Sequence, residues 1–188
     1  MSQLKCLICG MNINSNTYDL NNYSFVEKNE KGRIINCPFC GVSKIYLDDE
    51  KEIYYVEEDL DQESLEVLDH AMKLEVFNGE FYKEASNLAE NDEIKKLFKD
   101  LSNIEFMHAR VHKRLGGFEQ LPKLHKPDYH ARLNTDKLLL EEAYKREEHA
   151  IAFYKKNSTN VCSKLIKEIF KALSDVEKQH EIIANNYI

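Results

Sequence analysis

The 188-residue sequence predicts a mainly α protein, a four-helix bundle with one long crossover connection, preceded by a small β module. Residues 1–47 are rich in turn-forming residues and carry four of the five cysteines. The remainder carries apolar residues at helical spacing and contains two similar segments 72 residues apart. We therefore predict a cysteine-rich module at 1–47, a linker at 48–63 and a helical bundle at 64–188.

The composition is that of a soluble globular protein, with 43% hydrophobic and 31% charged residues. The net charge of −7 argues against nucleic acid and anionic membranes as partners, because both attract basic surfaces. No run of 18 apolar residues is present, and no apolar stretch of signal-peptide length precedes Cys6. We expect no membrane partner and a cytoplasmic location.

The cysteines of the N-terminal module form two Cys-x-x-Cys-Gly motifs, CLICG at 6–10 and CPFCG at 37–41. Such paired spacing predicts a site in which four thiolates bind one iron or one zinc. The glycine after each pair permits a tight turn whose amides point at sulfur. The predicted ligands are Cys6, Cys9, Cys37 and Cys40. Cys162 is predicted to be a small apolar residue near a helix start.

Short strands are expected in and after this module. The segments YSFVE from Tyr23 and GRIIN from Gly32 are candidates, as is Ile53–Val56 within the acidic linker.

Four helices of about 20 residues or more follow. The first is predicted from Ser64, the second from Asn91-Asp92 to Gly116-Gly117, and the third over 136–157. The segment NSTN ends the third helix, and a fourth runs to the C-terminus. The middle connection is about 20 residues long and contains two prolines, whereas the others are short. Two hairpins joined by one long crossover are the ferritin-like variant of the four-helix bundle.

The repeat identifies the candidate site. FKDLSNIEFMH at 98–108 and FKALSDVEKQH at 170–180 share six of eleven residues, including a Glu and a His three residues apart. Upstream, AMKLEVFNGEFYK from Ala71 aligns with AYKREEHAIAFYK from Ala143 at the same offset. Each half therefore retains a Glu and a Tyr on one helix and Glu-x-x-His on the next.

These residues predict a two-metal centre. Glu and His three residues apart share a helix face, and the upstream Glu residues lie on apolar stripes. Four carboxylates buried among aliphatic side chains would be costly unless cations neutralised them, and two divalent ions carry the matching charge. Oxygen-rich ligation with one nitrogen per metal favours iron or manganese. The predicted ligands are Glu75, Glu105, His108, Glu147, Glu177 and His180.

Several residues near the predicted ligands have roles that the sequence does not fix. Tyr82 and Tyr154 lie two turns beyond their Glu residues and either hydrogen-bond a carboxylate on a neighbouring helix or simply pack. His112 is interpreted as a core or channel histidine. Glu148 is the main competitor of Glu147 for the ligand position.

At these residues the chain resembles the rubrerythrins. AMKLEVFNGEFYKEA, EFMH, EEHAIAFY and EKQH resemble their ferritin-like di-iron domain over 64–188, and CLICG…CPFCGVSK resembles a rubredoxin-like domain over 4–46. The N-terminal position of that domain is typical of the reversed members of the family. Rubrerythrins proper carry a seventh carboxylate one turn after the third-helix ligand, where this chain has Ala150 and Ile151.

The resemblance implies a non-haem peroxidase that reduces hydrogen peroxide or oxygen. It implies two iron ions in the bundle, with manganese or zinc as alternatives, and bridging ligands from the second and fourth helices. Electrons would come from a donor reductase through iron at the four cysteines, in a homodimer or higher homo-oligomer. Two other functions stay open: a ferroxidase or iron-handling protein, and a metal or redox sensor with a structural zinc ribbon.

Overall fold

The computed structural model describes residues 4–56, 59–125 and 127–188. The N-terminal module contains a three-stranded antiparallel sheet with the order β2-β1-β3. Its strands are β1 (Leu4–Cys6), β2 (Asn12–Ile13) and β3 (Leu47–Asp48), and two single-turn 3₁₀ helices span Asn22–Ser24 and Lys44–Tyr46. The predicted β module is therefore present, with very short strands.

The strands lie elsewhere than predicted. None is found in the described residues at YSFVE, at GRIIN or at Ile53–Val56. Asn21, with a φ of 53°, starts the 3₁₀ turn that replaces the first of these. In place of the second, the Asn29 side chain accepts hydrogen bonds from the main-chain N–H groups of Ile35 and Asn36. A side chain thus satisfies main-chain groups that a strand would pair with another strand.

The four predicted helices are confirmed. They are α1 (Gln62–Leu88), α2 (Asp92–Leu115), α3 (Asp136–Asn157) and α4 (Lys164–Tyr187). Each begins after a polar residue whose side chain accepts a hydrogen bond from a first-turn N–H: Asp61, Asn91, Thr135 and Ser163. The first helix starts at Gln62, two residues before the predicted start, because Asp61 is its N-cap.

The helices form two hairpins, α1 against α2 and α3 against α4, with further contacts between α1 and α3 and between α2 and α4. The long connection from Gly116 to Thr135 joins the hairpins, which gives the ferritin-like bundle expected from the sequence. No helix in the described part of the chain is long and apolar enough to cross a membrane.

The β module packs against α2 and α4 of its own chain. Arg114 Nη2 on α2 donates a 2.6 Å hydrogen bond to the Ile8 carbonyl. The Tyr23 N–H donates to Asp100 Oδ2 over 3.0 Å. The buried residues of module and bundle form one continuous apolar cluster, so the cysteine motifs lie next to the helices that carry Glu-x-x-His.

Cys162 lies two residues before α4, as expected, but it is exposed rather than packed in the core. Its N–H donates a 2.8 Å hydrogen bond to Ser64 Oγ, and the Ser64 hydroxyl lies 3.3 Å from Cys162 Sγ. This polar contact joins the starts of α1 and α4.

Candidate metal centres

The helical bundle encloses a cluster of four carboxylates and two imidazoles, all with no exposed surface. Their ligand atoms form two overlapping groups, and within each group these atoms lie within 4.8 Å of one another. One group is Glu75, Glu105, His108 and Glu177, and the other is Glu105, Glu147, Glu177 and His180. Glu105 and Glu177 belong to both groups, so their carboxylates lie where ligands shared by two metal ions would lie.

Both imidazoles present Nδ1 to the carboxylates. His108 Nδ1 lies 3.0 Å from Glu177 Oε1, and His180 Nδ1 lies 3.1 Å from Glu177 Oε2 and 3.3 Å from Glu105 Oε1. The other ring nitrogen of His108, Nε2, donates to the Cys40 carbonyl over 2.8 Å. That bond keeps a proton on Nε2, so Nδ1 is the ring nitrogen that can offer its lone pair to a metal.

Two buried tyrosines connect α1 and α3 through the cluster. The Tyr82 hydroxyl donates to Glu147, and the Tyr154 hydroxyl donates to Glu75. Burial raises the pKa of both phenols well above the ordinary value, with the charge of the bonded Glu adding to the effect. Both hydroxyls are therefore protonated donors that orient a carboxylate.

His112 is one residue that distinguishes the two halves of the site. His112 is fully buried, and its Nε2 lies 2.7 Å from the Tyr154 hydroxyl. Because that hydroxyl gives its proton to Glu75, His112 is the donor in this contact. Burial, reinforced by the charge of His108, lowers the His112 pKa to about 3, so the ring is neutral. Ala184 occupies the equivalent position in the second half, so Tyr82 has no such histidine partner.

The cluster contains four carboxylates but only two imidazoles, so its positive charge cannot balance its negative charge. Burial raises the pKa of Glu75, Glu105 and Glu147 well above the ordinary value, and repulsion between the carboxylates adds to this. Burial also acts to raise the pKa of Glu177, but the charge and hydrogen bonds of His108 and His180 outweigh it and lower that pKa. Without cations, the cluster therefore holds protons at neutral pH.

Unpaired oxygen atoms also point to cations. Both carboxylate oxygens of Glu105 and one each of Glu75, Glu147 and Glu177 are buried without a hydrogen-bond donor among the described residues. Such atoms are rare in folded proteins unless a ligand completes them. Two divalent cations would match the four negative charges, and oxygen-rich sites with one nitrogen per metal suit iron or manganese. The residues present therefore fit a two-metal centre.

The other candidate carboxylates lie outside the cluster. Glu148 is exposed, about 100° around α3 from Glu147. Glu142 forms an ion pair with Arg146 at 3.0 Å. Ala150 is completely buried, so the turn that follows Glu147 places a methyl group where some relatives of this fold carry a carboxylate.

The four cysteines of the module converge in a second site. Cys6 Sγ lies 3.7 Å from Cys40 Sγ, and Cys9 Sγ lies 3.7 Å from Cys37 Sγ. Burial raises the pKa of the Cys37 and Cys40 thiols, whereas hydrogen bonds, led by that from Cys37, lower the pKa of Cys6. Four sulfur ligands at this spacing suit a single iron or zinc ion.

The tight turns after each cysteine pair have the expected backbone. Gly10 and Gly41 have φ values of 80° and 75°, in the left-handed region that side-chain-bearing residues rarely adopt. Cys9 is partly exposed, whereas the other three cysteines of the site are buried. The sulfur site is therefore reachable from solvent at Cys9 and faces the bundle at Cys40.

The fold and the site together define a class of protein, the ferritin-like proteins that hold two metal ions between carboxylates of four helices. A family model described as Rubrerythrin matches residues 66–188, more than half of the chain. The chain belongs to the rubrerythrin family, which confirms the resemblance found in the sequence. Comparisons with curated proteins and with solved structures gave no match. The cysteine cluster lies outside the matched residues and fits a rubredoxin-like module.

Replacing Tyr154 with Phe is expected to affect the site more than replacing Tyr82. Both substitutions remove a donor to a carboxylate ligand, a type of change that typically weakens metal affinity about 10- to 100-fold. Only Tyr154→Phe also leaves His112 Nε2 buried without its acceptor, at an expected further cost of about 1–3 kcal/mol in unfolding free energy. Chelator competition and thermal unfolding of the two variants measure both effects. Equal losses would contradict the assigned role of His112.

Proposed function

We propose that this chain is a di-iron oxidoreductase that reduces hydrogen peroxide, or oxygen, with electrons relayed through iron at the four cysteines. The observation that carries the proposal is the hydrogen bond between His108 Nε2 and the Cys40 carbonyl, 2.8 Å long. It joins a residue of one candidate metal site to a residue of the other. Iron held by these residues would supply the two electrons that turn hydrogen peroxide and two protons into two molecules of water.

The bonded route between the sites is short and buried. Cys40 contributes its thiol to the sulfur site and its carbonyl to the hydrogen bond, and His108 contributes Nε2 to that bond and Nδ1 to the carboxylates. Both residues have no exposed surface. The main chain next to Cys40 lies close to α4, since a Cβ added at Gly41 would be 2.6 Å from Val176 Cγ1. The route lies within one chain, so a relay would not depend on a second subunit.

Residues of the bundle shield the carboxylate cluster from water and fix the orientation of its carboxylates. The rings of Tyr82 and Phe98 stack with centroids 5.9 Å apart, and Tyr154 packs on Phe170 at 5.2 Å. These aromatic walls exclude water from the carboxylates, while the two phenol groups hold Glu147 and Glu75 in place. Exclusion of water strengthens electrostatic interactions inside the cluster.

We also propose that the protein receives electrons from a partner protein. A donor reductase would approach the sulfur site at Cys9, because this is the partly exposed residue of the four. Family membership supports a homodimer or higher homo-oligomer, and we place the protein in the cytoplasm, where thiols remain reduced and free to bind metal.

The test is turnover by protein purified without oxygen. We expect metal analysis to give two irons in the bundle and one at the cysteines, with the visible absorption of a ferric tetrathiolate. With NADH and an electron-transfer reductase, this protein should consume peroxide. Protein with zinc at the cysteines and iron in the bundle is the matched control, and it should accept no electrons from the reductase.

The same experiment separates the alternatives. Turnover no faster than that of free iron would contradict the proposal. Oxidation of Fe(II) with mineral growth in a large shell would support an iron-handling protein. Zinc at the cysteines of protein isolated without oxygen, with no reducible centre there, would support a sensor.

A further inference from the structure

The outer face of the α3–α4 hairpin contains an open groove of about 560 Å³. Its floor includes Tyr154 and Phe170, and Ile151 and Ser174 lie on its sides. Lysines surround it: Lys155, Lys167, Lys171 and Lys178. A basic groove is unexpected on a chain whose net charge is −7.

In the α1–α2 hairpin, an aromatic side chain fills the position of the equivalent groove. The positions 72 residues earlier in α1 and α2 are Gly79 and Phe106, where α3 and α4 have Ile151 and Lys178. Phe106 packs so closely on Gly79 that a Cβ at that position would lie 3.1 Å from the ring. Ser102 Oγ donates to the Gly79 carbonyl over 2.9 Å, which holds α1 and α2 together.

The floor of the groove is the same in both hairpins. Tyr82 packs on Phe98 in the first hairpin as Tyr154 packs on Phe170 in the second. The two seams therefore differ in what covers the floor. In α3–α4, Lys178 is exposed and no aromatic ring lies over Ile151 among the residues that line the groove.

The floor borders the carboxylate cluster. The Tyr154 hydroxyl donates to Glu75, and the ring is 1% exposed. A single side chain thus separates the groove from a candidate metal ligand. Rotation of one aromatic side chain would connect the two, which is a motion far smaller than the opening of a helix.

Three of the four lysines at the rim have no paired carboxylate among the described residues. Asp175 pairs with Lys178 at 2.7 Å, whereas the other three lysines form no ion pair with any residue in the described ranges. Clefts lined by one sign of charge concentrate ligands of the opposite sign and raise their association rates about 10- to 1,000-fold. The rim therefore favours anions over neutral molecules.

We propose that the α3–α4 groove is the entrance through which small ligands reach the Glu75 side of the cluster, with the Tyr154 ring as its gate. The lysine rim makes this entrance favour small anions such as azide. The inference rests on the proposed metal centre, but it does not require that the centre turn over peroxide.

The first test closes the groove by copying the other hairpin. The double variant Ile151→Gly, Lys178→Phe reproduces the Gly79–Phe106 arrangement in α3–α4. Stopped-flow absorbance of iron-loaded protein would follow azide as the anionic probe and nitric oxide as the neutral probe. We expect both association rates to fall at least about tenfold, since both probes use the same entrance. Wild-type rates in a variant that retains its iron would overturn the proposal.

The second test changes only the charge. Lys171→Glu should slow azide several-fold and weaken its salt dependence, while leaving nitric oxide unchanged. The matched control is Lys99→Glu, the equivalent exposed position on the closed α1–α2 seam. Equal slowing of azide by both variants would overturn the proposal, because the effect of charge would then not depend on the groove. This comparison remains valid if the double variant fails to fold. Groove-dependent azide binding without peroxide turnover would refute the proposed function and leave the entrance standing.

Discussion

The substitution Glu105→Gln is expected to prevent metal binding at both positions and, at the same time, to stabilise the metal-free protein. Glu105 belongs to both ligand groups, so its loss affects both ions. Loss of a shared carboxylate should weaken metal affinity by at least about 100-fold, the upper end of what removal of a supporting residue costs. Metal analysis and chelator competition measure this effect.

The stabilisation follows from charge. Both oxygens of Glu105 are buried without a donor, and repulsion from Glu177 adds to the cost of its burial. A glutamine amide has nearly the same shape and carries no charge at any pH, so the folded protein no longer bears the cost of burying or protonating this carboxylate. The amide can also donate to a neighbouring carboxylate. Replacing groups of a buried ionic cluster by neutral ones of similar volume often stabilises by about 1–4 kcal/mol. We expect the metal-free variant to melt several degrees above the metal-free wild type.

The pH dependence provides an independent check. The folded-state pKa values of Glu75, Glu105 and Glu147 lie above the ordinary value of 4.5. Their contribution to stability is therefore fully present below about pH 4.5 and is lost as the pH rises through the raised values. The melting temperature of metal-free wild type should fall as the pH rises above about 4.5, and less steeply in Glu105→Gln. Metal binding should tighten over the same range, because it displaces protons.

A neighbouring carboxylate supplies the control. Glu148 is adjacent to Glu147 but exposed and outside the cluster, so Glu148→Gln should change neither the metal content nor the pH dependence of melting. A metal-free Glu105→Gln variant that melts below the wild type would show that the cluster is not under electrostatic strain.

The second large effect is expected from Gly41→Ala. This substitution should slow electron transfer from the sulfur site to the bundle at least about tenfold, because it disrupts the hydrogen bond between the Cys40 carbonyl and His108. Gly41 has a φ of 75°, and an added Cβ would lie 2.6 Å from Val176 Cγ1. The turn must move away from α4, which lengthens the bond between the Cys40 carbonyl and His108. Oxidation of the pre-reduced iron by peroxide, followed by stopped-flow absorbance, measures the rate.

Gly10→Ala is the matched control for this substitution. Gly10 follows the other cysteine pair with a φ of 80°, so alanine there has the same backbone strain, about 1–2 kcal/mol. Its Cβ would meet the tip of the Ile53 side chain at 2.5 Å, away from Cys40. Gly10→Ala should therefore destabilise the module without slowing transfer. Similar rates in the two variants would argue against the Cys40–His108 route.

Much of the bundle could be predicted because its signals are local or repeated. Each helix start carries a polar cap residue, and the 72-residue repeat aligns the Glu and His positions without any structural information. Three-residue spacing on a helix places Glu105 beside His108 whatever the rest of the chain does. The sequence alone could not decide whether Glu147 or Glu148 is the ligand. Adjacent residues point about 100° apart on a helix, and only the packed structure shows which of the two faces the cluster.

The positions of the strands in the N-terminal module could not be predicted, for a physical reason. Its main chain is organised by cysteine turns and by asparagine side chains such as Asn29, which satisfy N–H groups without any alternation of apolar and polar residues. The contact between Cys40 and His108 joins residues 68 apart, and a ring nitrogen that donates to a carbonyl leaves no sequence pattern. The difference between Gly79 and Ile151 was visible in the repeat, but its effect depends on how closely two helices approach.

The shared position of His108 also has a thermodynamic consequence. One imidazole is held by the sulfur site through Nε2 and offers Nδ1 to the carboxylates, so an ion in either site helps to order the same ring. Coupling between two binding equilibria is reciprocal. If filling the cysteine site raises the affinity of the bundle for iron by some factor, then iron in the bundle must raise the affinity of the cysteines by the same factor, and the chain should load its metals cooperatively.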